Sequence, residues 1–189
     1  TSGSTTNDVT IALTFSSTKS TINLVANDIG VTNTHLSNFE GSGGDYTATF
    51  TPIVDGECII DISAGAYTDA AGNNNTIATP FTWTYDSTPP TLSVVTAIAT
   101  PSNTATPTFV FSSDKVGTIT STLDFSDSTS ASVGPNTPNT ITFNALSDAA
   151  RTGETVTVTD AFGNVSEPLT IPGFVIDTVK PDISIASST

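Results

Sequence analysis

Two acidic motifs in the chain carry the oxygen atoms that a divalent cation would need. Each has an aspartate, an asparagine four residues later and a second aspartate 17 residues after the first: Asp69, Asn73 and Asp86, then Asp160, Asn164 and Asp177. Calcium takes 6–8 oxygens from carboxylates, carbonyls and amide side chains. We therefore predict a calcium site at one end of each repeat, with Asn103 or a loop carbonyl of the following domain as a further ligand. Its Kd should be about 10⁻⁴–10⁻³ M, as in other extracellular modules.

A metal-free turn is the alternative interpretation of these motifs. An aspartate at the first position and a glycine at the fourth, as in Asp69 and Gly72, are typical of a type I turn. A turn does not account for Asp86 and Asp177, each of which ends a predicted strand just before a proline-stiffened linker. We favour calcium for this reason, and the turn remains open.

The elements that position these residues recur with the motifs at an offset of 91 residues, so the repeating unit is a whole small domain. We predict domains at residues 1–88 and 89–180. Residues 181–189 are expected to begin a third repeat, since residues 182–185 parallel residues 91–94 at the start of the second domain.

Short alternating segments, each bounded by turn residues, fill both repeats. Leu13 and Phe15 alternate with polar residues near the start of the first repeat, and Phe81, Trp83 and Tyr85 place aromatics on one face of its last strand. This alternation indicates half-buried strands. No segment has a sustained helical period. The sequence predicts an all-β chain of two tandem immunoglobulin-like antiparallel β-sandwich domains.

Composition excludes several classes of function. The 189 residues carry a net charge of −14, from 18 acidic and 4 basic side chains, which argues against nucleic acid or an anionic membrane as partner. No apolar run approaches the ~20 residues of a membrane span. The lone His35 and single Arg151 offer little to activate a nucleophile, so we expect no enzyme. Cys58 has no disulfide partner and is expected to be buried.

Six sequence runs resemble tandem bacterial Ig-like repeats of large cell-surface adhesins of the RTX type. They are YTATFTP at 46–52, DAAGNNN at 69–75, FTWTYD at 81–86, NTITF at 139–143, VTD at 158–160 and FVID at 174–177. The resemblance implies a monomeric, extracellular stalk segment on the bacterial surface. It also implies that neighbouring Ig-like repeats of the same chain are its partners and that calcium rigidifies the junctions.

Two further expectations accompany the resemblance. Lys19 and Lys115 occupy equivalent places where the pattern would have an acid, and we expect both to be solvated at the surface. The alternative function is a ligand-binding module for a glycan or another surface, with the loops at residues 41–44 or 126–138 as its site. Phe125 is the one aromatic residue near those loops.

Overall fold

The computed structural model describes residues 1–126, 130–131 and 134–186 of the chain. The chain divides into two compact units, Thr1–Thr88 and Pro89–Thr189, here called unit 1 and unit 2. Both units are built from β-strands, with one short 3₁₀ turn at Ala26–Asp28. Both are immunoglobulin-like β-sandwiches, as the alternating pattern predicted. No helix in the described part of the chain is long and apolar enough to cross a membrane.

Unit 1 contains two sheets that enclose one core. Its strands are β1 (Ser4–Thr6), β2 (Ile11–Thr21), β3 (Gly30–Thr32), β4 (Thr34–Pro52), β5 (Gly56–Asp61) and β6 (Phe81–Tyr85). One sheet has the order β1-β6-β5-β3, and the other pairs β2 with β4. Strand β1 runs parallel to β6, and the other pairs are antiparallel.

The core of unit 1 forms from the residues that the alternation assigned to the inner faces. Phe50, Cys58 and Trp83 are completely or almost completely buried, and Phe81 and Tyr85 pack partly buried against them. The Phe81 and Trp83 rings lie 5.9 Å apart between centroids in a tilted arrangement. The predictions of a buried Cys58 and an inward-facing aromatic strand are therefore confirmed.

Strand β4 doubles back on itself and so supplies two segments to its sheet. The Ser37 hydroxyl lies 3.4 Å from the Thr49 carbonyl, 12 residues away, which a straight strand could not allow. The reversal lies at the glycine-rich segment 41–44. Gly41 has a φ of 132°, and an added Cβ would approach the Asp45 carbonyl oxygen to 2.3 Å, so only glycine fits there.

Unit 2 repeats this plan with more, and shorter, strands. They are β7 (Leu92–Thr96), β8 (Thr108–Ser113), β9 (Gly117–Ser121), β10 (Ser130–Ala131), β11 (Gly134–Thr142), β12 (Ala149–Arg151), β13 (Thr155–Asp160), β14 (Leu169–Thr170) and β15 (Phe174–Ile176). The sheets have the orders β11-β8-β7 and β10-β9-β13-β14, and β12 pairs with β15. Phe109, Phe111, Ile141, Phe143 and Val158 are fully buried in its core.

The two units also share the pairing that closes the end of the sandwich. Thr6 lies beside Tyr85 in the parallel β1–β6 pair, and Ser102 forms a parallel bridge with Ile176. Residues 181–186 form no strand, and residues 187–189 lie outside the described part of the chain. The third repeat therefore stays a prediction.

The burial of the last strand of unit 1 generates a stability prediction. Replacing Trp83 by alanine should lower the free energy of unfolding of unit 1 by about 3–5 kcal/mol, because a large buried side chain is lost. Thr84→Ala, on the exposed face of the same strand, should change it by less than about 0.5 kcal/mol. Calorimetry on both variants checks this, and equal losses would show that β6 faces the other way.

Candidate metal centre

The acidic loop of unit 1 is a tight turn at the tip of the connection between β5 and β6. The Asp69 amide donates to the Asn73 carbonyl at 3.0 Å, and the Gly72 amide donates to the Asp69 carbonyl at 3.0 Å. Gly72 has a φ of 83°, in the left-handed region that favours glycine. The flanking residues Thr68 and Asn74 form an antiparallel bridge, so the loop closes a short hairpin.

The Asp69 carboxylate is the centre of this loop and accepts three hydrogen bonds from two of its neighbours. It accepts the backbone amides of Ala71 and Asn73 at 3.0 and 2.9 Å and the Asn73 side-chain amide at 3.0 Å. The Lys19 ammonium lies 3.2 Å from Oδ2 of Asp69. A carboxylate offers about four lone-pair sites, and these four donors fill that number.

The acidic loop of unit 2 reproduces this arrangement bond for bond. The Asp160 carboxylate accepts the amides of Phe162 and Asn164, both at 2.9 Å, and the Asn164 side-chain amide at 3.0 Å. The Lys115 ammonium lies 3.4 Å from its Oδ2. Gly163 has a φ of 92° and donates to the Asp160 carbonyl. The repeat therefore preserves a complete hydrogen-bonded structure as well as a sequence pattern.

Each lysine of these clusters links two parts of its sandwich. Lys19 lies on β2, whereas Asp69 belongs to the connection between β5 and β6 of the other sheet. Lys115 follows β8, and Asp160 is the last residue of β13, again in the opposite sheet. The carboxylate thus fixes its own loop and, through the lysine, joins the two sheets. We call each cluster of aspartate, asparagine and lysine a clamp.

Burial differs between the two clamps. The side chains of Lys19 and Asp69 are 69% and 13% exposed, whereas those of Lys115 and Asp160 are 27% and 4% exposed. The expectation of a solvated lysine is therefore correct for Lys19 and wrong for Lys115. Because water screens the pair less in unit 2, removing one partner of the ion pair there should destabilise its sandwich more than in unit 1.

Both clamp carboxylates have a lowered pKa and stay ionised. For Asp69 the main cause is the Asn73 side-chain hydrogen bond, followed by the Asn73 backbone amide, and Lys19 adds to them. Burial opposes ionisation of Asp160 more than any single contact favours it. The hydrogen bonds from Asn164 and Phe162 and the Lys115 ammonium together outweigh burial, so the pKa of Asp160 is also lowered.

The second aspartate of each motif lies at the other end of its sandwich. Asp86 follows Tyr85, which pairs with Gly56 at the start of β5, whereas Asp69 lies beyond the far end of β5. The length of β6 alone, five residues, separates them by roughly 17 Å. Asp177 and Asp160 are likewise at opposite ends of the β12–β13 run. The prediction that each motif forms one site is corrected, because its members are not brought together.

Asp86 and Asp177 instead order the chain where it leaves each sandwich. The Asp86 amide donates to the Thr6 carbonyl at 3.1 Å, and its carboxylate accepts the Thr88 amide at 3.0 Å. The Asp177 amide donates to Ser102 at 2.9 Å, and its carboxylate accepts the Val179 amide at 3.2 Å. We call these segments, residues 86–88 and 177–179, the exits.

Two aspartates that sequence reasoning missed also hold the exits. The Asp55 carboxylate accepts the Ser87 amide at 2.9 Å and the Ser87 hydroxyl at 2.7 Å, and Thr88 donates its hydroxyl to the same carboxylate. Asp148 accepts the Thr178 amide and hydroxyl at 3.1 and 2.8 Å. The offset between Asp55 and Asp148 differs from 91, so the repeat did not mark them. Ser87 and Thr178, the hydroxyl residues that directly follow Asp86 and Asp177, were the sequence signal that could have indicated these contacts.

Asn103 lies at the exit of its own unit. It directly follows Ser102, whose carbonyl accepts the Asp177 amide, and it is exposed. The structure thus places Asn103 next to Asp177 within unit 2. The prediction had assigned Asn103 to the calcium site of the preceding domain.

The clamps do not fit a calcium ion. The donors around each carboxylate already fill its lone-pair sites, and a lysine ammonium stands where a cation would bind. The exits also carry carboxylates, Asp55 and Asp86, which bind consecutive residues of one segment. Within the described part of the chain, no three histidine, cysteine or acidic side chains form a metal-binding group.

Within the described residues, the loops considered for ligand binding show no exposed aromatic side chain. Phe125 forms a bridge with Phe143 and packs partly buried against the core of unit 2. The predicted 126–138 loop lies partly outside the described residues, and its last part belongs to β11. The segment 41–44 forms the reversal of β4.

Comparisons with known proteins find one similar family and similar solved structures. Residues 1–85 match the family model of a bacterial Ig-like domain. Among solved structures, the D0-D1 domain of Intimin is similar to this chain with a TM-score of 0.28 and 14% identity, over 92% of this chain and 95% of that one. No curated protein matches the chain. The sequence of unit 1 is thus similar to that of a bacterial Ig-like domain, and unit 2 repeats the plan of unit 1.

The difference in burial between the clamps predicts unequal effects of removing the two ammonium groups. Lys115→Met keeps most of the apolar stem but leaves a buried carboxylate short of one donor, so we expect a loss of about 1–3 kcal/mol in the unfolding free energy of unit 2. Lys19→Met, with its exposed lysine, should cost unit 1 less than about 1 kcal/mol. Calorimetry measures both, and an equal or reversed order would contradict the assigned burial.

The lowered pKa of Asp160 predicts how the stability of unit 2 depends on pH. A carboxyl with a lower pKa in the folded state stabilises that state fully above its unfolded pKa, near 3.9, and loses this contribution as the pH falls through the folded value. The difference in stability between the native chain and Asp160→Asn should therefore be largest above about pH 5 and shrink below about pH 4. Urea unfolding at several pH values measures it. A difference that does not change between pH 7 and 2 would exclude the ionised clamp.

Proposed function

We propose that the chain is an extender segment of a large bacterial cell-surface adhesin of the RTX type, outside the cell. Its partners in this role are neighbouring Ig-like repeats of the same protein. The observation that carries the proposal is the tandem arrangement itself. Two sandwiches with separate cores follow each other in one chain, and the first matches the bacterial Ig-like family.

The short connection between the units supports a spacer that resists bending. Thr88 is held to unit 1 through Asp55. Thr91 is held to unit 2, because its amide donates to Asp114 at 2.6 Å and its carbonyl accepts the Asp114 amide at 3.2 Å. Pro89 and Pro90 are the residues that remain between these anchors, and each has a fixed φ. A connection of two prolines has far less freedom than a glycine-serine linker.

Calcium acts, in this proposal, at the exits rather than at the clamps. Asp55 and Asp86 in unit 1, and Asp148 and Asp177 in unit 2, gather carboxylates where each sandwich ends. Carboxylate oxygens are the ligands that calcium prefers, and amide oxygens such as that of Asn103 can add to them. Binding there would offset the repulsion between like charges and hold the exit segment in place.

Small-angle scattering with and without millimolar calcium tests this proposal. We expect calcium to narrow the distribution of distances within the particle, because it restricts the exit, and Asp86→Ala to abolish that change. Asp124→Ala removes an exposed acid of unit 2 outside the exits and should leave the response intact. The experiment also requires calorimetry to establish that calcium binds.

Two outcomes would contradict different parts of the proposal. If calcium binds but the scattering curves superimpose, the ion does not stiffen the joint. If no binding is measured at millimolar calcium, the exits are not calcium sites. In both cases a narrow distance distribution in the absence of the ion would still support the extender role, whereas a broad one would contradict it.

A further inference from the structure

Two short motifs in the chain fit the acceptor pattern for N-linked sugars, an asparagine followed two residues later by serine or threonine. They are Asn74-Asn75-Thr76 in unit 1 and Asn164-Val165-Ser166 in unit 2. Both lie close behind the aspartate of a clamp, but the repeat does not superimpose them, since Asn164 corresponds to Asn73 at the offset of 91. The motif of unit 1 is therefore shifted by one residue relative to the motif of unit 2.

The motif of unit 2 directs its acceptor side chain into the sandwich. Successive side chains of an extended segment point to opposite faces. Asn164 and Ser166 are 8% and 4% exposed, whereas Val165 between them is 53% exposed. The Asn164 side-chain amide donates to the Asp160 carboxylate at 3.0 Å, and the Ser166 hydroxyl oxygen accepts the Val158 amide at 3.0 Å. Both groups that define this motif are therefore engaged within unit 2.

The motif of unit 1 has the opposite orientation, because its middle residue, Asn75, is the one that points inward. Asn74 and Thr76 are exposed, whereas Asn75 is half-buried. The Asn75 side-chain oxygen accepts the Tyr67 amide at 2.9 Å, and its side-chain amide donates to the Ser63 carbonyl at 2.8 Å. These bonds hold the backbone of the motif in place, so the shift of one residue brings the acceptor side chain to the surface.

The side chains of Asn74 and Thr76 are accessible to an enzyme. Among the described residues, neither side chain has a hydrogen-bonding partner. In unit 2 the residues at the equivalent positions, Val165 and Glu167, are also exposed, although that unit contains the additional strand β7. The exposure of these positions is therefore a property of the plan that the two units share.

We propose that Asn74 is an acceptor site for an N-linked sugar and that Asn164 is not. The donor is a sugar that carries a phosphate leaving group on its anomeric carbon, linked to a nucleotide or to a lipid, and a glycosyltransferase that recognises the motif catalyses the transfer. Nδ2 of Asn74 forms a bond to the anomeric carbon and loses one proton. The bond from that carbon to the phosphate oxygen breaks, and the phosphate leaves with the electron pair. The inference depends neither on calcium nor on the extender role.

Enzymatic glycosylation of the folded full chain tests the proposal. One arm supplies UDP-glucose and a soluble glycosyltransferase that recognises the motif, and the other supplies a lipid-linked oligosaccharide and a membrane glycosyltransferase. We expect the intact mass to rise by one sugar unit in at least one arm, and peptide mapping should place that unit on Asn74. The arm that reacts identifies the donor. Asn164 is the control within the same molecule and should stay unmodified.

Three variants separate recognition of the motif from nonspecific reaction. Asn74→Gln and Thr76→Val should each abolish the modification, because an enzyme site built to bind a hydroxyl strongly rejects an analogue that lacks it. Thr76→Ser keeps the hydroxyl and should still be modified. Both positions are exposed, and circular dichroism confirms that the variants are folded. A chain that stays unmodified in both arms, a sugar on Asn164 of the folded chain, or modification that persists in Thr76→Val would each overturn the proposal.

Discussion

The hydrogen-bonded carboxylate of Asp69, and of Asp160 in the second unit, is the interaction on which each sandwich depends at its clamp end. One side chain accepts two backbone amides and an asparagine amide within its loop, and a lysine from the opposite sheet. Because the carboxylate is ionised, these are charge-assisted bonds, which are stronger than bonds between neutral groups. Two sheets with few large apolar residues are joined there by polar contacts in which each donor has an acceptor.

The clamp is buried to different degrees in the two units. In unit 2 a third strand, β7, covers the edge of β8, and the clamp and core behind it are largely closed to water. In unit 1 Leu13 and Phe15 are half-buried, and Lys19 extends into solvent.

The sequence predicted the fold well because alternation and turn residues report directly on strands. Trp83 and Phe111 are buried as their positions in the pattern required. The candidate sites were predicted less well. The spacing of Asp69 and Asp86 along the chain does not show that they lie at opposite ends of the sandwich. The connection between β5 and β6 carries Asp69 beyond the far end of β5, whereas Asp86 follows β6 beside the start of β5. The participation of Lys19 depends on a contact between segments distant in sequence, which no local pattern reveals.

The aspartates of the clamps and the exits thus have two tasks: the clamps close the sandwiches, and the exits order the chain where it leaves each sandwich. The most direct measurement is an NMR titration of the aspartate carboxyl carbons, with and without millimolar calcium. The account predicts that Asp69 and Asp160 titrate below the ordinary range near 3.9 and that their signals do not respond to calcium. Calcium should shift the signals of Asp86 and Asp177. A calcium-dependent shift at Asp69 or Asp160, or an ordinary pKa at either, would contradict it.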